Sequence, residues 1–111
     1  MNKYRDKSDF EINLRVAQII FTDSEYDVIK QSMEVVKFQN GNGKGTCHAF
    51  DPCNNPADAM PIVIENGISS LFNDDEWICS VPYTEFLSIN ENLCRAAMEV
   101  FLMMKEAENE S

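Results

Sequence analysis

The segment from residue 90 to residue 107 constrains the fold most, because its spacing predicts a helix that is apolar on nearly every side. Such a helix lies at the centre of a core or in an oligomer interface. A chain of 111 residues has the size of one domain. We therefore predict a single domain, 1–111, built around this helix, with frayed ends at residues 1–7 and 106–111. The apolar positions are Leu93, Ala96, Ala97, Met98, Val100, Phe101, Leu102, Met103 and Met104.

Two more helices carry clear start and stop signals. Residues 8–11 form a capping box, and apolar residues at helical spacing follow it for about ten to twelve positions. Asn55 is a typical N-cap, and Pro56 suits the first helical position, where its missing N–H costs nothing. Gly67 predicts a left-handed stop to this second helix, which we expect to be kinked or split at Pro61.

The remaining chain favours antiparallel strands. Residues 33–50 read as a hairpin around the glycine-rich turn 40–45, and residues 68–81 read as a second hairpin around the acidic turn 73–76. A loop containing Ser88 leads into the last helix. The sequence therefore predicts an α+β domain in the order αββαββα, with helices covering one face of an antiparallel sheet of about four strands.

The charge of the chain disfavours several classes of partner. Nine basic residues against nineteen acidic ones give a formal charge of −10. Phosphate backbones and anionic membrane surfaces repel such a chain, so we expect neither direct nucleic-acid binding nor membrane binding. The N-terminus has no apolar signal region, which predicts a cytoplasmic protein. No lysine or arginine occurs between residues 46 and 94, so the negative charge belongs mainly to the C-terminal two thirds.

The segment at residues 51–58 is the first candidate site, because it crowds polar groups around a strand-to-helix turn. Asp51, Asn54, Asn55 and Asp58 surround Cys53. One interpretation is a helix N-terminus that offers free amides to an anionic or polar ligand, with Cys53 as a thiolate. The other is that these side chains cap the turn and satisfy backbone donors. The sequence leaves both open.

Two residues elsewhere complete the candidate binding set. Arg95 lies among apolar neighbours on the last helix, where it pairs with a carboxylate or with backbone carbonyls, or receives an anionic ligand. Trp77 lies on a predicted strand and is either a core anchor or the wall of a pocket.

The pattern of histidine and cysteine favours neither a metal site nor a nucleophilic pair. Cys47 and His48 are adjacent on a predicted strand, so their side chains point to opposite faces and cannot share one metal. No third group that would orient a pair of His48 and Cys53 is identifiable. We expect Cys47, Cys79 and Cys94 to be small buried core residues, and we predict no metal, no cofactor and no catalytic residue.

Four stretches that together span the chain make it resemble the NinX-like family of small proteins from lambdoid phages and prophages. The resemblance implies a phage accessory protein of the nin region without an established activity, and it supplies no catalytic residues. Where the family usually has a tryptophan this chain has Met60, so no stacking role carries over to that position. The matching stretches are SDFEIN (8–13), FDPCNNPADA (50–59), PIVIEN (61–66) and LCRAAM (93–98) continued by FLMM (101–104).

These observations favour a non-enzymatic, acidic protein-interaction module that acts on a host or phage protein in the host cytoplasm. A homodimer through the last helix is compatible with that function. The alternative is a small-molecule or anion-binding protein, or a modest enzyme, with its site at the 51–58 turn and with Trp77 and Arg95 as wall residues.

Overall fold

The computed structural model describes residues 2–38 and 46–110, with the side chain of residue 110 left aside. In these residues three helices and two three-stranded antiparallel sheets follow one another in the order αβββαβββα. The α+β class and the three helices are confirmed, whereas the prediction of about four strands in one sheet is wrong. The elements are α1 (Asp9–Ile20), β1 (Tyr26–Ile29), β2 (Glu34–Phe38), β3 (Cys47–Ala49), α2 (Pro56–Asn66), β4 (Ser69–Asn73), β5 (Glu76–Ser80), β6 (Leu87–Asn90) and α3 (Leu93–Glu110).

The first sheet contains the first predicted hairpin and one further strand. Strands β2 and β3 pair antiparallel, with Val36 opposite Ala49, and the predicted turn at 40–45 lies outside the described residues. Strand β1 adds to the other edge of β2, where Asp27 faces Val36. The sequence did not predict β1, because four residues with alternating half-burial give too short a period-2 signal.

The second sheet likewise contains the second predicted hairpin and an extra strand. Asn73 faces Glu76 across a two-residue turn in which Asp74 and Asp75 adopt positive φ values of 52° and 65°. The prediction of a loop at Ser88 is wrong, since β6 pairs with β5 there. The alternation in β6 is inverted: Ser88 is buried whereas the apolar residues beside it are exposed, so the usual strand pattern was hidden.

Local chemistry determines the start of the first two helices and the end of the second as predicted. The Glu11 amide donates to Ser8 Oγ at 3.1 Å, and the Ala57 amide donates to Asn55 Oδ1 at 3.0 Å. Gly67 ends α2 with a φ of 65°. Helix α2 is assigned as one continuous helix across Pro61, so the first turn is not split off.

Helix α3 is the centre of the domain, as its all-round apolar pattern predicts. It packs against α1, α2, β5 and β6, and Ala96, Met98 and Val100 are fully buried. The helix continues through residue 110, and the N-terminal segment lies against it: the Tyr4 hydroxyl donates to Glu106 Oε2 at 2.6 Å. Among the described residues, no helix has both the length and the apolar character that a membrane crossing requires.

The cysteines divide between core and surface. Cys79 and Cys94 are buried, as predicted, whereas the expectation of a buried Cys47 is wrong. Cys47 lies on β3, an edge strand of three residues that are all exposed, so its side chain does not pack in the core.

Candidate functional site

The turn at residues 51–58 is held together by its own carboxylates. Asp58 Oδ2 accepts a hydrogen bond from the Asp51 amide at 2.9 Å, and Lys37 Nζ lies 3.3 Å from Asp58 Oδ1. The carbonyl of Asp51 accepts from the amides of Asn54 and Asn55. Asp58 is 7% exposed, so its carboxylate is a structural acceptor inside the turn.

Asn13, on α1, binds the turn from one side. Its Nδ2 donates to Asp51 Oδ1 at 2.8 Å, and its Oδ1 accepts from the Cys53 amide at 3.1 Å. The side chain is buried and uses both ends of its amide, which ties α1 to the turn.

Asn92 binds the turn from the other side and begins α3. Its Oδ1 accepts from the Cys94 amide at 3.0 Å, as an N-cap does, while its Nδ2 donates to the Cys53 carbonyl at 2.8 Å and to Asn54 Oδ1 at 3.1 Å. One side chain thus caps the central helix and fastens it to the 51–58 turn.

Arg95 uses its whole guanidinium within the chain. Nε donates to Glu99 Oε2 at 2.6 Å, Nη1 pairs with Asp9 Oδ1, and Nη2 donates to the carbonyls of Tyr4 at 3.0 Å and Lys7 at 2.6 Å. Burial by itself would lower the pKa of Arg95, but its hydrogen bonds to the carboxylates of Glu99 and Asp9 outweigh it and raise that pKa. Of the roles that the sequence left open, pairing with carboxylates and carbonyls is the one present.

The same network continues under the second sheet. Glu99 is 1% exposed and accepts from the Ser88 hydroxyl and from Asn2 Nδ2, in addition to Arg95. Its charge is therefore compensated by one cation and two neutral donors. This arrangement fastens the N-terminal segment, β6 and α3 to one another.

Burial, followed by the nearby Asp9 carboxylate, raises the pKa of the Cys53 thiol far above its usual range, so the sulfur stays protonated at neutral pH. Every buried side-chain nitrogen and oxygen of the described residues has a hydrogen-bond partner. No group of three or more histidine, cysteine, aspartate or glutamate side chains in this part of the chain could hold a metal ion.

The structure brings six of the seven candidate residues into one region and leaves the seventh apart. Asp51, Cys53, Asn54, Asn55 and Asp58 form the turn, and Arg95 joins it through Asp9, which also accepts from Asn54 Nδ2 at 3.1 Å. The seventh, Trp77, lies half-buried in β5, where its ring centroid is 5.0 Å from that of Phe72.

Two grooves of the described residues lie away from the 51–58 turn. A groove of about 880 Å³ runs between residues 2–5, β6 and the C-terminal half of α3, and a second of about 310 Å³ lies between α1 and α3. None of the seven candidate residues lines either groove. The binding role of the 51–58 turn therefore stays a prediction.

Sequence reasoning missed the side chains that organise this region, although signals for them exist. Asn13 is a polar residue on the buried face of α1, Asn92 stands just before the last helix, and Glu99 is placed i, i+4 from Arg95 on an otherwise apolar surface. A buried polar residue in an apolar stripe indicates a partner, but the pattern does not identify which one.

The comparisons with known proteins give a family and nothing finer. A protein-family profile described as "Bacteriophage P22, NinX" matches residues 3–105, nearly the whole chain. The searches of curated proteins and of solved structures found no match. The family match agrees with the resemblance carried by the four sequence stretches, and the chain belongs to the bacteriophage P22 NinX family.

Proposed function

We propose that this phage accessory protein works by binding a basic surface of a host or phage protein, without catalysing a reaction. The observation that carries the proposal is a set of exposed carboxylates that form no ion pair among the described residues. Six carboxylates between residues 46 and 94 are exposed, and none forms an ion pair with another described residue. They are Glu65, Asp74, Asp75, Glu76, Glu85 and Glu91.

The distribution of cations strengthens this observation. The ion pairs of the described residues use lysines and arginines from the first 37 residues or from α3, such as Lys37 with Asp58 and Lys105 with Glu108. The 46–94 segment contributes no lysine or arginine of its own, so its six exposed carboxylates give that part of the surface a net negative charge. A complementary, positively charged protein surface would bind there and would be attracted at long range.

The polar interior supports a binding role more than an enzymatic one. The Cys53 thiol has a raised pKa and lies buried, and every nitrogen of the Arg95 guanidinium donates to an atom of the chain. A ligand at this region would have to replace bonds that hold helices α1 and α3 to the turn. The alternative of a small-molecule site at residues 51–58 therefore has no observation in its favour.

A pull-down with matched charge variants tests the proposal. The immobilised chain is exposed to lysate of the phage host at low ionic strength and again well above about 0.1 M salt, where the screening length falls below about 10 Å. We expect a discrete partner that is retained at low salt and released at higher salt. The variant D74N/D75N/E76Q should weaken retention about tenfold, because each exposed charge contributes up to roughly 1 kcal/mol.

The control removes the same charge from another part of the molecule. Asp6, Asp23 and Glu34 are exposed, and the variant D6N/D23N/E34Q neutralises three carboxylates without touching the 46–94 segment. Asparagine also tolerates the positive φ of residues 74 and 75, so the test variant keeps the turn. Equal loss in both variants, or no salt-sensitive partner at all, would contradict the proposal.

A further inference from the structure

We infer that the partner docks on one face of the second sheet, through an apolar row bordered by carboxylates. The inference rests on the proposed function and adds the place and the chemistry of contact. The opposite face of this sheet packs on α3: Ser88 Oγ donates to Glu99, and Cys79 Sγ lies 3.9 Å from the Leu93 carbonyl oxygen. Residues at alternate positions therefore point away from the helix.

We call the side of the sheet that points away from α3 the outer face. Leu71, Ile78 and Ile89 lie on it. Leu71 pairs with Ile78 and Ile78 pairs with Ile89, so the three side chains form one row across β4, β5 and β6. Leu71 is 62% exposed, Ile89 is 48% exposed, and Leu87 beside them is 47% exposed. A contiguous apolar row in this setting differs from the scattered exposed apolar residues that any protein has, and it indicates an interaction surface.

Carboxylates border this row where the sheet turns and where β6 begins and ends. Glu76 is two residues before Ile78 and so shares its face, and the positive-φ turn at Asp74 and Asp75 adjoins it. Glu85 and Glu91 lie on either side of β6. All five are exposed and without an ion pair among the described residues.

This combination specifies the occupant as a protein with an apolar patch flanked by lysine or arginine. The apolar row would be covered by the patch, and the flanking cations would meet the border carboxylates. A second copy of this chain would bring the same carboxylates to the same border, and each copy carries a formal charge of −10. Like-charge contact opposes that pairing.

Site-specific photo-crosslinking tests the location. A benzophenone amino acid replaces Leu71 in one sample and Ile29 in the control, since Ile29 is 44% exposed on β1 of the other sheet. In host lysate at low salt we expect a discrete heterologous adduct from position 71 and none from position 29, and its yield should fall as salt is raised. Adducts from both positions alike would overturn the inference, and an adduct of twice the chain mass would replace the partner with a second copy.

A binding measurement with apolar variants separates this inference from the proposed function. Retention of the salt-sensitive partner should fall at least about tenfold in L71S/I89T and stay unchanged in the control I29S. Thermal unfolding checks that each variant is folded. Unchanged retention in L71S/I89T, or no adduct from position 71 while a salt-sensitive partner is still captured, would reject the outer face and leave the proposed function standing. Absence of any such partner would reject both.

Discussion

The interior around Arg95 and the outer face of the second sheet differ in whether their polar and apolar groups have partners within the chain. Around Arg95, several charged and polar groups are buried, and each buried side-chain nitrogen and oxygen of the described residues has a partner. On the outer face, Leu71 and Ile89 are about half exposed or more, and the carboxylates nearby form no ion pair with another described residue.

This difference separates a region that holds the fold together from one that we propose as a docking surface. A dense cluster of polar residues suggests a site when it is met in sequence, yet here its bonding capacity is consumed in joining α1, the 51–58 turn, α3 and the N-terminal segment. The outer face contributes little to the core and retains unused apolar surface and unused charge. Unused bonding capacity is what a partner can satisfy.

The largest expected effect comes from breaking the buried ion pair. Arg95→Met leaves Glu99 buried without its cation and frees the carbonyls that Arg95 holds, so we expect the free energy of unfolding to fall by about 3–5 kcal/mol in urea denaturation. R95M/E99L removes the uncompensated charge as well and should recover at least about 2 kcal/mol of that loss. The control Lys105→Met, which removes an exposed pair with Glu108, should cost about 0.5 kcal/mol or less. A double variant no more stable than R95M would contradict this account of Glu99.

A smaller effect is expected where one side chain both caps a helix and ties it to the turn. Asn92→Ala loses the cap of α3 and two hydrogen bonds to the turn, which amounts to about 2–3 kcal/mol of unfolding free energy. Asn55→Ala loses only a cap on α2 and should cost about 1 kcal/mol. Guanidinium titrations of the two variants give the difference, and equal losses would mean that the bonds from Asn92 to the turn stabilise nothing.

The pH dependence of the free energy of unfolding, measured on the acid side, tests how much the carboxylate at the edge of the same cluster stabilises the protein. Partial burial would raise the pKa of Asp9, but the hydrogen bonds from Asn54 and Arg95 outweigh it and hold that pKa below its ordinary value. A depressed pKa in the folded state stabilises the protein above the ordinary value of 3.8, and that contribution disappears as the pH falls through the folded-state pKa.

We therefore expect Asp9→Asn to destabilise the protein by about 0.5–1 kcal/mol at pH 6, a modest figure because the half-exposed carboxylate is screened. The difference from the parent protein should shrink below about pH 4, where the parent loses the same charge. Urea denaturation midpoints of the variant and the parent protein, measured at pH 6 and below about pH 4, give this difference. A difference that grows on acidification would show that Asp9 is not stabilised as a carboxylate.

The smallest effect on stability is expected at the outer face. Leu71→Ser should change the free energy of unfolding by less than about 0.5 kcal/mol, because a side chain that is 62% exposed makes few core contacts. Thermal and urea unfolding measure it. A loss as large as that of Asn92→Ala would mean that the row belongs to the core, and the contrast between the two regions would then fail.

Much of the fold could be predicted because it depends on local chemistry. Ser8, Asn55 and Gly67 act on their own helix termini, so their roles do not depend on distant neighbours. Strands β1 and β6 could not be predicted in the same way. Each has only four residues, and in β6 the buried residue is a serine that bonds to Glu99, a residue eleven positions further along the chain.

The candidate site was likewise only partly predictable from the sequence. The sequence located six residues that the structure brings together, but whether they bind a ligand or one another depends on Asn13 and Asn92, which are 40 and 39 positions away from Cys53. The hydrogen-bond acceptors of Arg95 could not be predicted for the same reason, since three of them lie at least 86 positions away in the sequence.

The sequence by itself determined the α+β class, the central helix, the capped starts of the first two helices, the glycine end of the second helix, the concentration of negative charge and the family. All of these follow from composition, from patterns within one element or from matched stretches of sequence. The tertiary structure alone decided that the polar cluster is closed and that Leu71, Ile78 and Ile89 form one exposed row. Both are consequences of register and packing between distant segments, because a hydrogen bond or an apolar contact depends on which partner the fold places within reach.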